Sequence, residues 1–369
     1  MNGISVIICC FNSASRLPQT MKYVAAQEVT DKIAWEIILV NNASTDNTTE
    51  VAMYEWQKYN KTIPFTITDQ PIPGLTAARE KGIKEAKFDY LLFCDDDNWL
   101  NSDYIEIAFE CMEKRKDVGI IGGCSSGSFE IPEPFWFQTF SQSYVVERPL
   151  KESGYLPVTR EYLAGAGMII RKQLLSAMKD VGFTPILTDR IGKSLMSGGD
   201  YELCLIAKFL GSRIYYDERL NLVHFMSKER LSWEYCIRMT TVGHAIPEII
   251  FDLYRVAHYF SLRNQQRSFA RIYLRLLKNY FDDMVFAEQK GIKGIFNFLS
   301  NISLFFRLRI GSLTQRKMLS SRNKLFFLLN NSKLLKQQYT SIQILMEKIK
   351  EGHLKIKRES STIQMDEKY

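Results

Sequence analysis

Leu91–Leu100 reads LLFCDDDNWL. With Tyr90 in front of it, the apolar part (YLLFC) has strand length and no polar face, and it stops abruptly at Asp95, Asp96 and Asp97. A strand that is apolar at every position is buried on both faces, as in parallel sheets covered by helices. Ile4–Cys10 (ISVIICC) and Trp35–Val40 (WEIILV) read the same way. Between these runs, residues 17–29, 48–59 and 75–87 carry apolar side chains at helical spacing, and Phe65–Thr68 reads as extended. This alternation predicts an α/β fold with a doubly wound, mostly parallel sheet. Residues 119–170 are less regular, with a strand expected at Ala166–Ile170. A helix is expected over residues 199–210 and a strand at Arg213–Tyr216. Beyond about residue 232 the helical period continues alone. Two domains are therefore expected, residues 1–235 and a basic, amphipathic helical region over residues 236–369.

Charge supports that division. The 369-residue chain carries +7. Residues 1–250 hold 26 Lys/Arg and 32 Asp/Glu, or −6, whereas residues 251–369 hold 22 and 9, or +13. The two segments are built for different partners. The seven cysteines form no CxxC pair, and Cys9, Cys10 and Cys94 lie inside apolar runs, so reduced, buried thiols are expected. Neither a secretory leader nor a run of about 18 uncharged apolar residues is found, which predicts a cytoplasmic chain without a spanning helix.

Parallel α/β sheets bind ligands at the carboxyl ends of their strands. The polar residues following the runs are Phe11–Ser15, Asn41–Thr48 and Asp95–Asn98. Three adjacent carboxylates repel one another unless a cation offsets them. On an extended segment Asp95 and Asp97 would point the same way. Hard oxygen ligands in small number suit Mg²⁺ or Mn²⁺, with a substrate diphosphate completing the shell. A solvated acidic turn is the plain alternative.

Several segments together resemble family 2 glycosyltransferases, whose fold is of the GT-A type. They are SVIICCFN (5–12), LVNNASTDNT (39–48), PGLTAAREKG (73–82), Asp95–Asp97, GAGMIIR (165–171) and GGDYELCLIAKFLG (198–211). Each is weak alone, but six in order at matching spacing are specific. The stretch TDRIGKSLMSGGDYEL and the FWF around Trp136 are similar to a bacterial surface-polysaccharide subgroup.

The resemblance implies site residues. Phe11 and Asn12 would hold the base, with Phe11 stacking on a pyrimidine. Asn41 replaces an acid that commonly accepts the uracil imide hydrogen. Ser44 would join the nucleotide site, or with Asp46 simply cap a helix. Arg79 would bind the diphosphate bidentately or sit in a surface ion pair. Asp95 and Asp96 would contact the nucleotide-sugar, and Asp95, Asp97 and His224 the metal, Mn²⁺ or Mg²⁺. Asp200 would be the general base, kept ionised at a helix start although Gly199 replaces the family's glutamate. Glu202 is secondary. Trp136 would stack on the acceptor sugar or pack in a core, and Gly165 lies in a segment near the acceptor. His224 has a structural alternative too.

The expected activity is inverting transfer from a nucleotide-diphosphate sugar, a UDP-sugar foremost, to a hydroxyl of a glycan or lipid-linked glycan in cell-surface polysaccharide synthesis. A nucleotidyltransferase acting on sugar phosphates is the rival enzyme class, but CCFNSASR lacks the glycine-rich loop that class carries. A catalytically inactive nucleotide-sugar-binding scaffold is the second rival. No nucleic-acid partner is expected. The tail pairs basic residues with Tyr273, Leu276, Leu277, Tyr280, Phe281 and Met284, then with a second cluster from Phe296 to Arg309. Such helices lie peripherally on anionic membrane surfaces, or pack their apolar stripes against each other or a second subunit as a structural subdomain. Leu335, Ile342, Leu345 and Ile349 approach a heptad seam, which points to a homodimer for that stretch.

Overall fold

The computed structural model describes residues 1–157, 160–187, 189–191 and 195–243, isolated positions from 247 to 254, and a C-terminal segment comprising 337, 338 and 340–352. The chain forms two compact units, Met1–Ile250 and Phe251–Tyr369.

The first unit opens with β1 (Ile4–Cys10), α1 (Leu17–Ala25), β2 (Trp35–Asn42), α2 (Thr48–Lys58), β3 (Phe65–Gln70), α3 (Leu75–Glu85) and β4 (Tyr90–Asp95). These four strands are mutually parallel in the order β3-β2-β1-β4. Every residue of β1 from Ile4 to Ile8 is buried, as a two-sided strand requires. Ile4, Val6 and Ile8 share a core with Leu17, Met21, Ala52 and Trp56 from α1 and α2. Helix α3 covers the opposite face, where a Cβ on Gly82 would come within 2.4 Å of Ile7.

The chain continues through β5 (Asn98–Leu100), α4 (Tyr104–Lys114), β6 (Val118–Phe129), α5 (Phe137–Phe140), β7 (Gly154–Tyr155), β8 (Ile169–Arg171), α6 (Lys172–Asp180), α7 (Gly199–Phe209), β9 (Arg213–Met226) and α8 (Trp233–Arg238). The sheet extends beyond β4 in the order β8-β6-β9-β5, with β7 on β9. Here the pairing is mixed: β8 runs antiparallel to both β4 and β6, and β5 and β7 run antiparallel to β9, while β6 and β9 are parallel. The strand expected at Ala166–Ile170 begins three residues later, because Gly167 takes φ 71° and turns the chain first. The last expected strand, Arg213–Tyr216, runs on to Met226.

The first unit extends past residue 235. Leu231, Cys236 and Met239 pack with Phe137, Tyr144 and Met226 in a second apolar cluster. In the second unit, residues 340–352 are helical. Ile342, Leu345, Met346 and Ile349 are buried within the single chain, at the spacing of one helix face. The basic apolar stretches from Tyr273 to Leu329, and Leu335, lie outside the described residues. Among the described residues no helix is long and apolar enough to cross a membrane.

Candidate active site

Asp95 ends β4, and Asp96 and Asp97 form the turn into β5. The triplet is therefore not extended, and the alternation expected to aim Asp95 and Asp97 together gives way to a turn. All three nonetheless line one cavity of about 460 Å³ at the carboxyl ends of the parallel strands. Each of the three carboxylates lies beside an arginine of the chain, which offsets part of their repulsion. Asp95 Oδ1 lies 3.8 Å from Arg79 Nη2. Asp96 Oδ2 is 2.5 Å from Arg16 Nη2 and accepts the Ser13 hydroxyl. Asp97 Oδ2 accepts from Arg230 Nη1 at 2.8 Å. Burial, with the charge of Asp97 adding to it, pushes Asp96 up to about 6 against the pull of Arg16. Burial also opposes ionisation of Asp97, but the adjacent His224 and Arg230 outweigh it and hold this carboxyl well below the usual range.

Strand pairing brings His224 to the triplet, since β5 and β9 place Asn98 opposite His224. Trp99 stacks between Tyr23 and Phe225, at 5.6 and 5.5 Å, and pins that register. His224 Nδ1 donates to the Tyr144 carbonyl at 2.9 Å. Its Nε2 lies 3.2 Å from Arg230 Nη1 and 3.4 Å from Asp97 Oδ2. Asp97 and His224 thus converge in a way that fits a divalent cation. Among the described residues, no group of three or more His, Cys, Asp or Glu side chains is arranged to hold a metal. The expected set of Asp95, Asp97 and His224 is therefore reduced to a close pair, and Asp95 faces Arg79.

Arg79 is not on the surface. It is 8 % exposed, 5.0 Å from the Phe93 ring, and lies between Asp95 and Asp189, whose Oδ2 is 3.7 Å from Nη1. Its Nε and that of Arg230 are buried without a hydrogen-bond partner. Asp200, at the start of α7, accepts the N–H of Gly165 at 2.9 Å and its neighbour Tyr201's at 2.8 Å. Burial raises its pKa, and Arg79 and these two amides work against the rise. Gly165 allows this approach, because a Cβ there would stand 2.9 Å from Arg79 Nη2.

At the β1 and β2 ends, Phe11 is 46 % exposed and lines the cavity, so it is not a core residue. Asn12 and Ser44 stitch the two turns together: Ser44 Oγ accepts the Asn12 N–H at 3.0 Å, and Asn12 Oδ1 accepts the Thr45 N–H at 2.7 Å. Asp46 accepts from Thr48 N–H, next to the start of α2. Asn41 donates its amide to Asp69 at 2.9 Å, and its own Oδ1 is buried without a partner. Asn42 lines the cavity and holds the Gly74 N–H at 2.8 Å, which sets the start of α3 and hence Arg79. Trp136 packs against Trp233 at 5.4 Å and tilts over Phe137, Phe140 and Tyr144.

Sequence reasoning missed Arg16, Asp189, Arg190 and Arg230, all of which line the cavity. Arg16 lies four residues after Asn12, and Arg230 lies six residues after His224. Both contacts depend on long-range pairing that no local pattern reveals. With four arginines and five aspartates at its walls, the cavity carries a formal balance of −1 with its histidine neutral. A diphosphate entering it gains from an accompanying cation.

Residues 5–175 match the family described as Glycosyl transferase family 2. The chain is 27 % identical over 197 residues to a poly-beta-1,6-N-acetyl-D-glucosamine synthase of Staphylococcus epidermidis, covering 53 % of this chain and 45 % of that one. It is 38 % identical over 107 residues to a cholesterol galactosyltransferase of Borreliella burgdorferi, covering 29 % and 28 %. It therefore spans less than half the length of these curated relatives. Among solved structures, S. aureus TarS 1–349 in complex with UDP-GlcNAc superposes with a TM-score of 0.50 at 17 % identity, over 96 % of this chain and 92 % of that one.

Proposed function

We propose that the chain, whose residues 5–175 match the glycosyl transferase family 2 model, is an inverting glycosyltransferase of that family. It would take a sugar from a UDP-sugar and deliver it to a hydroxyl of a glycan or lipid-linked glycan in surface-polysaccharide synthesis. The observation that carries this reading is the placement of Asp200, Arg79 and the aspartate triplet around one cavity at the strand ends. Asp200 removes the proton of the acceptor hydroxyl as it attacks the anomeric carbon. A single base and no covalent intermediate give inversion. Arg79 and Arg230, each with a buried, unpartnered Nε, draw the diphosphate and stabilise it as it leaves.

A divalent cation, Mn²⁺ or Mg²⁺, would be held by Asp97 and His224, with donor oxygens completing its shell. It would supply positive charge to the departing diphosphate. Arg230, which bridges the same two side chains, is then free to turn to the diphosphate.

Phe11 supports a pyrimidine, as a half-exposed ring at the cavity wall. Asn41, tied to Asp69 and outside the cavity lining, adds nothing to this support. UDP-GlcNAc is also the ligand in the TarS complex that shares this fold. The basic region from residue 251, at +13, would rest on the anionic cytoplasmic face of the membrane, next to a lipid-linked acceptor. Titration calorimetry with UDP and GDP in the presence of Mn²⁺ tests the donor assignment. UDP should bind more tightly, and tighter binding of GDP would overturn the assignment.

A further inference from the structure

Asp189 plays no part in the reaction as described above, yet it is built into the site. It is 6 % exposed. Its Oδ1 accepts the N–H of Gly199 at 2.8 Å, and its Oδ2 lies 3.7 Å from Arg79 Nη1. Its backbone sits at φ 54°, a left-handed conformation that costs a non-glycine residue free energy, so its surroundings must hold it there. The preceding chain is fastened separately, because the buried carboxylate of Glu202 accepts the N–H groups of Ile186 and Leu187 at 3.0 to 3.1 Å.

Gly199 opens α7, and its φ is not among the positive ones. The backbone therefore does not demand glycine at this position. What demands it is Asp189: a Cβ on residue 199 would stand 2.3 Å from Asp189 Oδ2 and 2.9 Å from its Cγ. With a side chain at 199, the carboxylate of Asp189 must leave its present place. The next residue along the helix is Asp200.

A buried guanidinium seeks bidentate pairing with a carboxylate, and Asp200 is within reach, since a Cβ on Gly165 would stand 2.9 Å from Arg79 Nη2 and 3.3 Å from Asp200 Cβ. We propose that Asp189 is a positioning residue that engages Arg79 and anchors the start of α7, so that Asp200 remains available to the acceptor hydroxyl, and that Gly199 provides the space it occupies. The proposal rests on the reading of Asp200 as the base.

The test uses the full chain as wild type, Asp189→Ala, Gly199→Ala, the Asp189→Ala/Gly199→Ala double variant, and the Asp189→Gly/Gly199→Glu swap. The measurements are the melting temperature, the affinity for UDP, and kcat and KM for UDP release from a panel of UDP-sugars. Asp189→Ala should lower kcat at least tenfold, with UDP affinity kept within threefold. Gly199→Ala should reproduce that loss by displacing Asp189. In the Asp189→Ala background, Gly199→Ala should add no further loss of kcat or melting temperature. The swap, which returns a carboxylate to the same space from the helix, should recover much of kcat. The proposal is overturned by wild-type kcat in Asp189→Ala, by a loss of UDP affinity as large as that of kcat, by a harmless Gly199→Ala, or by a swap no better than Asp189→Ala. A wild-type chain that turns over no UDP-sugar would sink the functional reading instead. In that case the four melting temperatures of wild type, the two single alanine variants and the double would still decide that displacement, since additive losses contradict it.

Discussion

Asp97 is the residue on which charge converges. It accepts from Arg230 and faces His224, and the Asn98 amide donates to its other oxygen at 3.0 Å. Replacing it by Asn keeps the size and one acceptor but removes the charge that would bind a cation. Asp97→Asn should lose nearly all transfer activity while still folding, as read from turnover in Mn²⁺ together with a melting curve. Full activity in the variant, or in wild type with excess chelator, would sink the metal assignment. At this scale the sequence was informative about residue types but not about partners. The triplet was readable as polar residues beyond an apolar run, and Arg79, His224 and Asp200 only through the family resemblance. That Asp95, Asp96 and Asp97 each meet a different arginine was not, because Arg16, Arg79 and Arg230 arrive from other parts of the chain. Asn41 was expected to face the base directly. Its bond to Asp69 depends on the β2–β3 register, which no local pattern gives.

Among the elements, α3 shows how packing positions chemistry. Gly74 takes φ 135° at its start and is held by Asn42. One face of the helix carries Arg79 into the cavity, and three residues later Gly82 lies directly on β1. Helix propensity alone would favour alanine at 82 by about 1 kcal/mol. The fold reverses that sign, because the new methyl would meet Ile7 Cγ2 at 2.4 Å and Val40 Cγ2 at 3.3 Å. Gly82→Ala should destabilise the chain by about 1–3 kcal/mol, as overpacking does, and should lower activity by shifting Arg79. A denaturation midpoint equal to or above wild type would refute this close approach. The first four strands and three helices were legible because an unbroken apolar run and a 3.6-residue period are local signals. The sheet beyond β4 was less so. Strands β5 to β9 pair mostly antiparallel, and β5, β7 and β8 span only two or three residues, too few to show a period.

For the whole molecule, the charge divides between the two units: −6 over residues 1–250 and +13 beyond. At about 1 kcal/mol per basic residue near an anionic surface, several together suffice for reversible attachment. The full chain should float with anionic liposomes at low salt and should float less with neutral ones. A chain cut near residue 250 should stay in solution, and equal behaviour of the two chains would contradict the attachment. Charge and composition carried this expectation, and no geometry entered it. The central claim, that Asp200 drives sugar transfer from a UDP-sugar, has a direct measurement. The full chain and Asp200→Asn are incubated with Mn²⁺, a panel of UDP-sugars and a glycan acceptor, and UDP release is followed alongside calorimetric UDP affinity. The account predicts that wild type releases UDP with at least one sugar, and that Asp200→Asn does so about 10²–10⁴ times more slowly at unchanged UDP affinity. Equal rates in the two proteins, or a collapse of UDP binding in the variant, would contradict it.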